Sequence, residues 1–222
     1  MWPDTCTRLP AATERFEEEF ELTTRQHLLL FSFVFVAFAS ADPAAADSKS
    51  AFIAPEDGAL VVFIHNLYED RATTYVVFDM NKQCVAEVRG RQAEVIPMTP
   101  GRHTLYIYGY NNRRIDLDLV PGRTYFIRLF SIEKFATRVT DVTPVQRGTT
   151  SFKLLKTWLE GARVTLADGD RCRGKPLKER ENRTQRRINE ANADWKNGDK
   201  LFRFKYKLLK EDGLTAEEIG WL

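Results

Sequence analysis

The side chains best suited to chemistry are few in this sequence. Past residue 41 there are two histidines, His65 and His103, and two cysteines, Cys84 and Cys172. His65 closes an apolar run and His103 follows a Pro-Gly pair. A metal centre would need further ligands at short spacing. Asp116, Asp118 and Glu94 are the nearest candidates by type, and none stands at a ligand spacing, so both histidines read as ordinary strand-end residues. Asp116 and Asp118, two apart, share one face of a strand. Their alternation with Ile115, Leu117 and Leu119 makes them its wet side rather than an acid–base pair. The sequence contains no G-x-S-x-G elbow, no G-x-G-x-x-G and no P-loop. The expectation is a protein that is not an enzyme, with no catalytic, metal or cofactor residues. A hydrolase using His65 or His103 is the enzymatic alternative, because a triad is assembled by the fold and not by local spacing.

The destination of the chain follows from residues 28–41. Leu28–Phe38 is uncharged and apolar, Arg25 and His27 precede it, and Ala39-Ser40-Ala41 follows. A basic flank, an apolar stretch of roughly 7–15 residues and a small-x-small site make a secretory signal peptide. The run is too short for a bilayer span, which takes about 20 apolar residues. Cleavage is expected near Ala41, giving a periplasmic or secreted protein with no transmembrane segment in its mature part. Glu17, Glu18, Glu19 and Glu21 do not suit a basic leader. The expectation is therefore a start downstream of Met1, with Met1–Leu22 not made or else removed with the leader. In an oxidising compartment Cys84 and Cys172 read as one disulfide. Such a bond is worth ~4–5 kcal/mol for so long a loop in the chain-entropy model. Two unpaired thiols are the alternative.

Asp42–Ser50 is small, polar and aperiodic, a linker. From about residue 51 to 145 short apolar strands alternate with turn signals. Ala59–Ile64 is nearly continuous and suits a strand buried on both faces. Further strands are expected at 74–79, 84–88, 93–96, 104–108, 115–119 and 124–130. Turns lie at Asn81-Lys82, Gly90-Arg91-Gln92, Pro100-Gly101, Asn111-Asn112 and Pro121-Gly122. Turns roughly every 8–12 residues between aromatic and β-branched strands predict a mainly β, antiparallel sandwich or barrel. Pro-Gly suits type II turns.

Three stretches in this order carry a resemblance: Pro55–Phe63, Pro100–Leu105 and Leu119–Arg128. Over about residues 54–133 the chain resembles an uncharacterised β-sandwich domain family of bacterial envelope lipoproteins, similar to PEGA-type modules. The resemblance implies a PEGA-like or transthyretin-like sandwich in the bacterial envelope with no catalytic residues to carry over. No cysteine stands beside the cleavage site for lipidation, which departs from the family pattern.

Residues 146–222 read as a basic, helix-rich C-terminal appendix packing on the sandwich. Ser151–Glu160 is a short helix ending at Gly161. Residues 175–197 form a longer one, with Leu177, Thr184, Ile188, Ala191 and Trp195 on one face at helical spacing. Asn182-Arg183-Thr184 matches a glycosylation sequon but sits inside that helix. Leu201–Leu209 alternates Phe202, Phe204, Tyr206 and Leu208 with Arg203, Lys205 and Lys207, which reads as a strand with a basic face; a helix is the other reading. Between Arg171 and Lys210 there are 14 Lys/Arg and 5 Asp/Glu. Arg183, Arg186, Arg187, Arg203, Lys205 and Lys207 are the candidate polyanion contacts. A solvated face is the plain reading, and an acidic surface polymer or lipid headgroup is the functional one. Nucleic acid, though its bases would suit the interleaved aromatics, is rarely met by an exported protein. The functional expectation is a non-catalytic exported envelope protein, a structural or interaction module. Its first alternative is a binder of acidic cell-surface polymer or lipid headgroups through 171–210.

Overall fold

The computed structural model describes residues 49–167 and 177–222, with side chains described from 182 in the second stretch. All belong to the compact unit Asp42–Leu222. The leader and signal peptide expected at 1–41, most of the linker, and Cys172 lie outside the described residues.

In chain order the strands and helices begin with β1 Ala59–His65, β2 Tyr75–Phe78, β3 Cys84–Val88, β4 Gln92–Met98 and β5 Gly101–Tyr108. They continue with β6 Asn112–Leu119, β7 Arg123–Lys134, β8 Thr137–Pro144, α1 Thr150–Leu159 and β9 Arg163–Leu166. The chain closes with α2 Leu177–Asn197, α3 Lys200–Lys205, β10 Lys207–Leu208 and α4 Ala216–Ile219. One five-stranded sheet has the order β8-β7-β1-β4-β9 and the other β10-β6-β5-β2-β3. The protein is thus mainly β, with two sheets and a few short helices.

The sheets are mixed, which corrects the expectation of a wholly antiparallel sandwich. β1 runs parallel to β7, β4 to β9 and β6 to β10. Turn signals report hairpins such as β2–β3 and β5–β6, but they carry no information on strands that meet from remote parts of the chain. The two Pro-Gly turns mark two of the places where the chain crosses between sheets, and Gly101 and Gly122 take φ of 125° and 69°.

Burial explains the layering. β1 is buried along its whole length, as its unbroken apolar run requires. Val61 and Phe63 face one core with Val77, Leu105, Ile107, Ile115, Leu117, Tyr125 and Ile127, residues drawn from both sheets. Leu60, Val62 and Ile64 face a second core, where Leu155 and Trp158 of α1 and Ile219 of α4 cover the other side of β1. A third cluster joins Phe78, Tyr106 and Tyr108 of the second sheet to Ile188 and Ala191 of α2. Each sheet therefore has one face against the other sheet and one against helices.

The region 146–222 does more than pack on the outside, since β9 extends the first sheet and β10 the second. The expected helical stripe of α2 is buried at Thr184, Ile188 and Ala191, which also places the sequon threonine out of reach. The strand expected at Leu201–Leu209 is corrected to α3 followed by the two residues of β10. The Asp199 carboxylate accepts a hydrogen bond from the Phe202 N–H at 2.7 Å and caps α3. Phe202 then meets Tyr206, four residues on, at a ring separation of 5.0 Å, a helical contact that outweighs the alternation.

Docking of α2 is tested by two substitutions. Ile188→Ala, at a site 7% exposed, is expected to cost about 2–4 kcal/mol in denaturant unfolding. Leu201→Ala, at a site 78% exposed, is expected to stay within about 0.5 kcal/mol of the parent. Equal, negligible effects would mean that α2 does not cover the second sheet.

Candidate binding surface at one end of the sheets

Four connections meet at one end: residues 66–74 after β1, 89–91 after β3, 109–111 after β5, and the tight β7–β8 turn. The first is tied to β7 by Asp70, which is 3% exposed. Its Oδ2 accepts hydrogen bonds from the Tyr75 hydroxyl and, at 2.8 Å, from the Ser131 N–H of β7. Its Oδ1 accepts one from the Thr73 hydroxyl. His65, fully buried, brings Nε2 to 3.5 Å from Asp70 Oδ2 and sets its ring edge-on to Tyr75 at 4.9 Å.

Thr140 of β8 makes the second tie. Its hydroxyl oxygen accepts from the Tyr110 N–H at 2.9 Å, and its own N–H donates to Asn111 Oδ1 at 2.6 Å. Gly109 lets these groups approach, because a Cβ there would stand 2.8 Å from the Tyr75 ring and 2.9 Å from the Thr140 hydroxyl. The Thr73 hydroxyl, whose proton goes to Asp70, lies 3.2 Å from Tyr110 Oη and accepts from it, which joins the first connection to the third. Asp70, Thr73, Tyr110 and Arg138 help to line a cleft of about 250 Å³ between them.

Burial and partners set the ionisation of this cluster. Burial pushes the His65 imidazole below its ordinary value of 6.5, against the opposing pull of Asp70. Burial pulls the Asp70 carboxyl upward, but hydrogen bonds from Thr73, Tyr75 and Ser131 outweigh it and hold the group below 3.8. Burial, then the bond to Asp70, raises Tyr75 far above the usual phenol range. The folded protein thus holds a neutral imidazole beside a locked carboxylate. The His65 nitrogens meet no hydrogen-bonding partner of good geometry among the described residues. The arrangement is an anchor.

The rim is aromatic. Tyr68 is 59% exposed, Tyr110 48% and Phe135 102%. Phe135 and Ala136 form the turn between β7 and β8, with φ of 46° and 64°. Both are left-handed values that side chains disfavour, and that asparagine and glycine usually supply in such hairpins. Sequence reasoning missed Asp70, Tyr75, Thr140 and Phe135. The Phe-Ala pair gives no turn signal, and the Asp70 cluster joins residues from three separate segments.

The residues expected to act lie elsewhere. Cys84 is half-buried on β3 with its sulfur 3.6 Å from the Ala86 carbonyl oxygen, and its expected partner Cys172 is outside the described residues. His103 Nε2 is 2.8 Å from the Thr99 carbonyl oxygen. Asp116 accepts from Arg114 at 2.9 Å and from Thr104 at 3.0 Å, while Glu94 is buried and accepts from Thr165 at 2.7 Å. No group of three potential metal ligands occurs among the described residues.

The six basic candidates do not form one unoccupied patch. Arg183 is exposed on α2, and Arg203 is half-buried on α3. Arg186 lies 3.8 Å from Glu190, and Arg187 sits over the Tyr108 ring at 3.9 Å. Lys205 turns to Asp141 at 3.0 Å, and Lys207 lines a groove with Arg102, Asp116 and Asp118. Of the interleaved aromatics Tyr206 is buried and Phe204 is exposed. No helix among the described residues is long and apolar enough to cross a membrane. No protein-family model matches the chain, and no curated protein matches it.

The anchor predicts acid sensitivity. Unfolded His65 takes up a proton near pH 6.5, whereas the folded imidazole resists it, so stability falls as pH drops below about 6.5. Asp70 adds a further loss below about pH 3.8 on the same reasoning. His65→Phe keeps a ring against Tyr75 and removes the titration. The unfolding midpoint of the parent is expected to fall between pH 7 and 5 more steeply than that of the variant. Parallel curves would show that His65 does not supply the dependence.

Proposed function

We propose that this protein is an exported, non-catalytic interaction module of the bacterial envelope, with a PEGA-like or transthyretin-like sandwich as its frame. Its contact face is the end that carries Tyr68, Tyr110 and Phe135. The observation behind this reading is a fully exposed phenylalanine at the tip of a hairpin whose base is tied down by Asp70. Rigidly held aromatic side chains lose little conformational freedom on binding, which is why they dominate contact surfaces. The leader supplies the destination. The proposed Cys84–Cys172 disulfide would tie β3 to the segment between β9 and α2, in keeping with an oxidising compartment.

Two measurements test this. A photo-reactive phenylalanine analogue at position 110 or 135 is expected to give a discrete adduct in living cells, and one at Leu201 is expected to give none. The reverse pattern would move the contact face to the C-terminal region. Intact mass is expected to show a chain starting at Asp42 and two hydrogens lighter than its reduced form. Reduction is then expected to lower the unfolding midpoint by several degrees, given ~2–5 kcal/mol for a native disulfide. A full-length cytoplasmic chain with free thiols would overturn the export reading.

A further inference from the structure

Taking the aromatic end as the contact face, we infer that the β7–β8 tip is an interfacial anchor, with Phe135 entering the surface of an anionic lipid bilayer. Several features of the hairpin fit that partner better than a protein pocket. The ladder between β1 and β7 ends at Ile64 and Arg128, while β7 runs on to Lys134 paired only with β8. The tip is therefore a convex projection. Its apex is one large ring, 102% exposed, beside the small side chain of Ala136, which is too little apolar surface to fill a complementary pocket.

The surroundings are graded from apolar to polar. Lys134 precedes Phe135 in the turn and has no ion-pair partner among the described residues. Arg138 stands two residues past Ala136, about 7 Å of strand back from the apex. It lies 3.4 Å from Glu133, so that pair is neutral as a unit. Arg71 stacks over the exposed Tyr68 ring at 4.0 Å, and Tyr110 is set back at the level of Arg138 on the cleft wall. Glu69, also exposed, lines the same cleft. Insertion of the apex by about 5–10 Å, the depth typical of interfacial elements, would bury Phe135. It would set Lys134 and Arg138 at the phosphate level and bring the tyrosines, amphipathic rings suited to the headgroup region, near the interface. The two left-handed turn residues are what a two-residue hairpin requires, so the ring is carried on a tight turn.

The test is co-flotation of the protein, as processed by the cell, with vesicles of phosphatidylcholine containing about a third phosphatidylglycerol. The parent is expected to float with these vesicles and to do so less at high salt. Phe135→Asn removes the ring with a residue that tolerates positive φ, so the hairpin persists. It is expected to lower the bound fraction about tenfold. Lys134→Glu should lower it several-fold, while Leu201→Asn, at another exposed apolar site, should leave it unchanged. Circular dichroism of each variant should match the parent. A parent that stays unbound, or a Phe135→Asn variant that floats like it, overturns the inference. If the parent stays unbound while the photo-reactive analogue at 135 marks a protein, the contact face stands and the lipid partner falls. Loss of flotation on replacing Arg183 and Arg186 by glutamate, with Phe135→Asn silent, would assign the lipid contact to α2 instead.

Discussion

The parallel pairing of β1 with β7 is the constraint on which the other elements depend. Two parallel neighbours cannot be joined by a hairpin; the chain must cross over between them. Here the crossover is most of the domain. Between β1 and β7 the chain lays down β2, β3, β5 and β6 as a second sheet and returns once, as β4, to pair with the other edge of β1. The second sheet is thus the connection itself, folded back on the strand it connects. A central strand buried on both faces then needs a cover on its second side, which α1 and α4 provide. Arg147 holds α4 in place through a 2.7 Å ion pair with Glu218, whose carboxyl is lowered to about 2 mainly by that contact. The C-terminal region is consequently part of the frame.

The same pairing creates the candidate surface. Because β7 is longer than β1, its far end leaves the sheet with β8 as sole neighbour. An unsupported two-stranded ribbon is marginal in water. Asp70 compensates at the point where support from β1 ends, since Ser131, which donates its N–H to the carboxylate, lies just past that point. The connection from which Asp70 comes starts at the end of β1. The strand that stops short thereby supplies the residue that fixes the base of the strand that continues.

Much of this frame was legible in the sequence, and the limits have physical causes. The apolar run at Ala59–Ile64, the two Pro-Gly turns, the alternation at Ile115–Leu119 and the helical stripe through Ile188 are local signals, and each marks the element it was read as. Strand direction and partner are not local, so the mixed pairing was invisible. At Leu201–Leu209 both periods fit, and a capping aspartate with one four-residue aromatic contact decided for a helix. The basic run was legible as composition, but its meaning changed on folding, when Arg186, Arg187 and Lys205 found partners. His65 was legible only as a strand-end histidine. Its role depends on Asp70 and Tyr75, which reach it across a connection that carries no periodicity.

The hairpin tip is where stability and function part. A turn of asparagine and glycine would satisfy two left-handed positions without the roughly 1–2 kcal/mol that each side chain there costs. Several choices at this end favour rigidity: the glycine that admits Thr140, the carboxylate with its hydrogen bonds, and the imidazole kept neutral. Only at the apex does the sequence choose a large ring in an unfavourable conformation with nothing to pack on. A position that lowers the stability of the free protein while its surroundings are built to hold it still is best understood through what it meets outside the protein. The anchor below resists deformation and the ring above has no internal use, so the free energy of that ring is realised on contact.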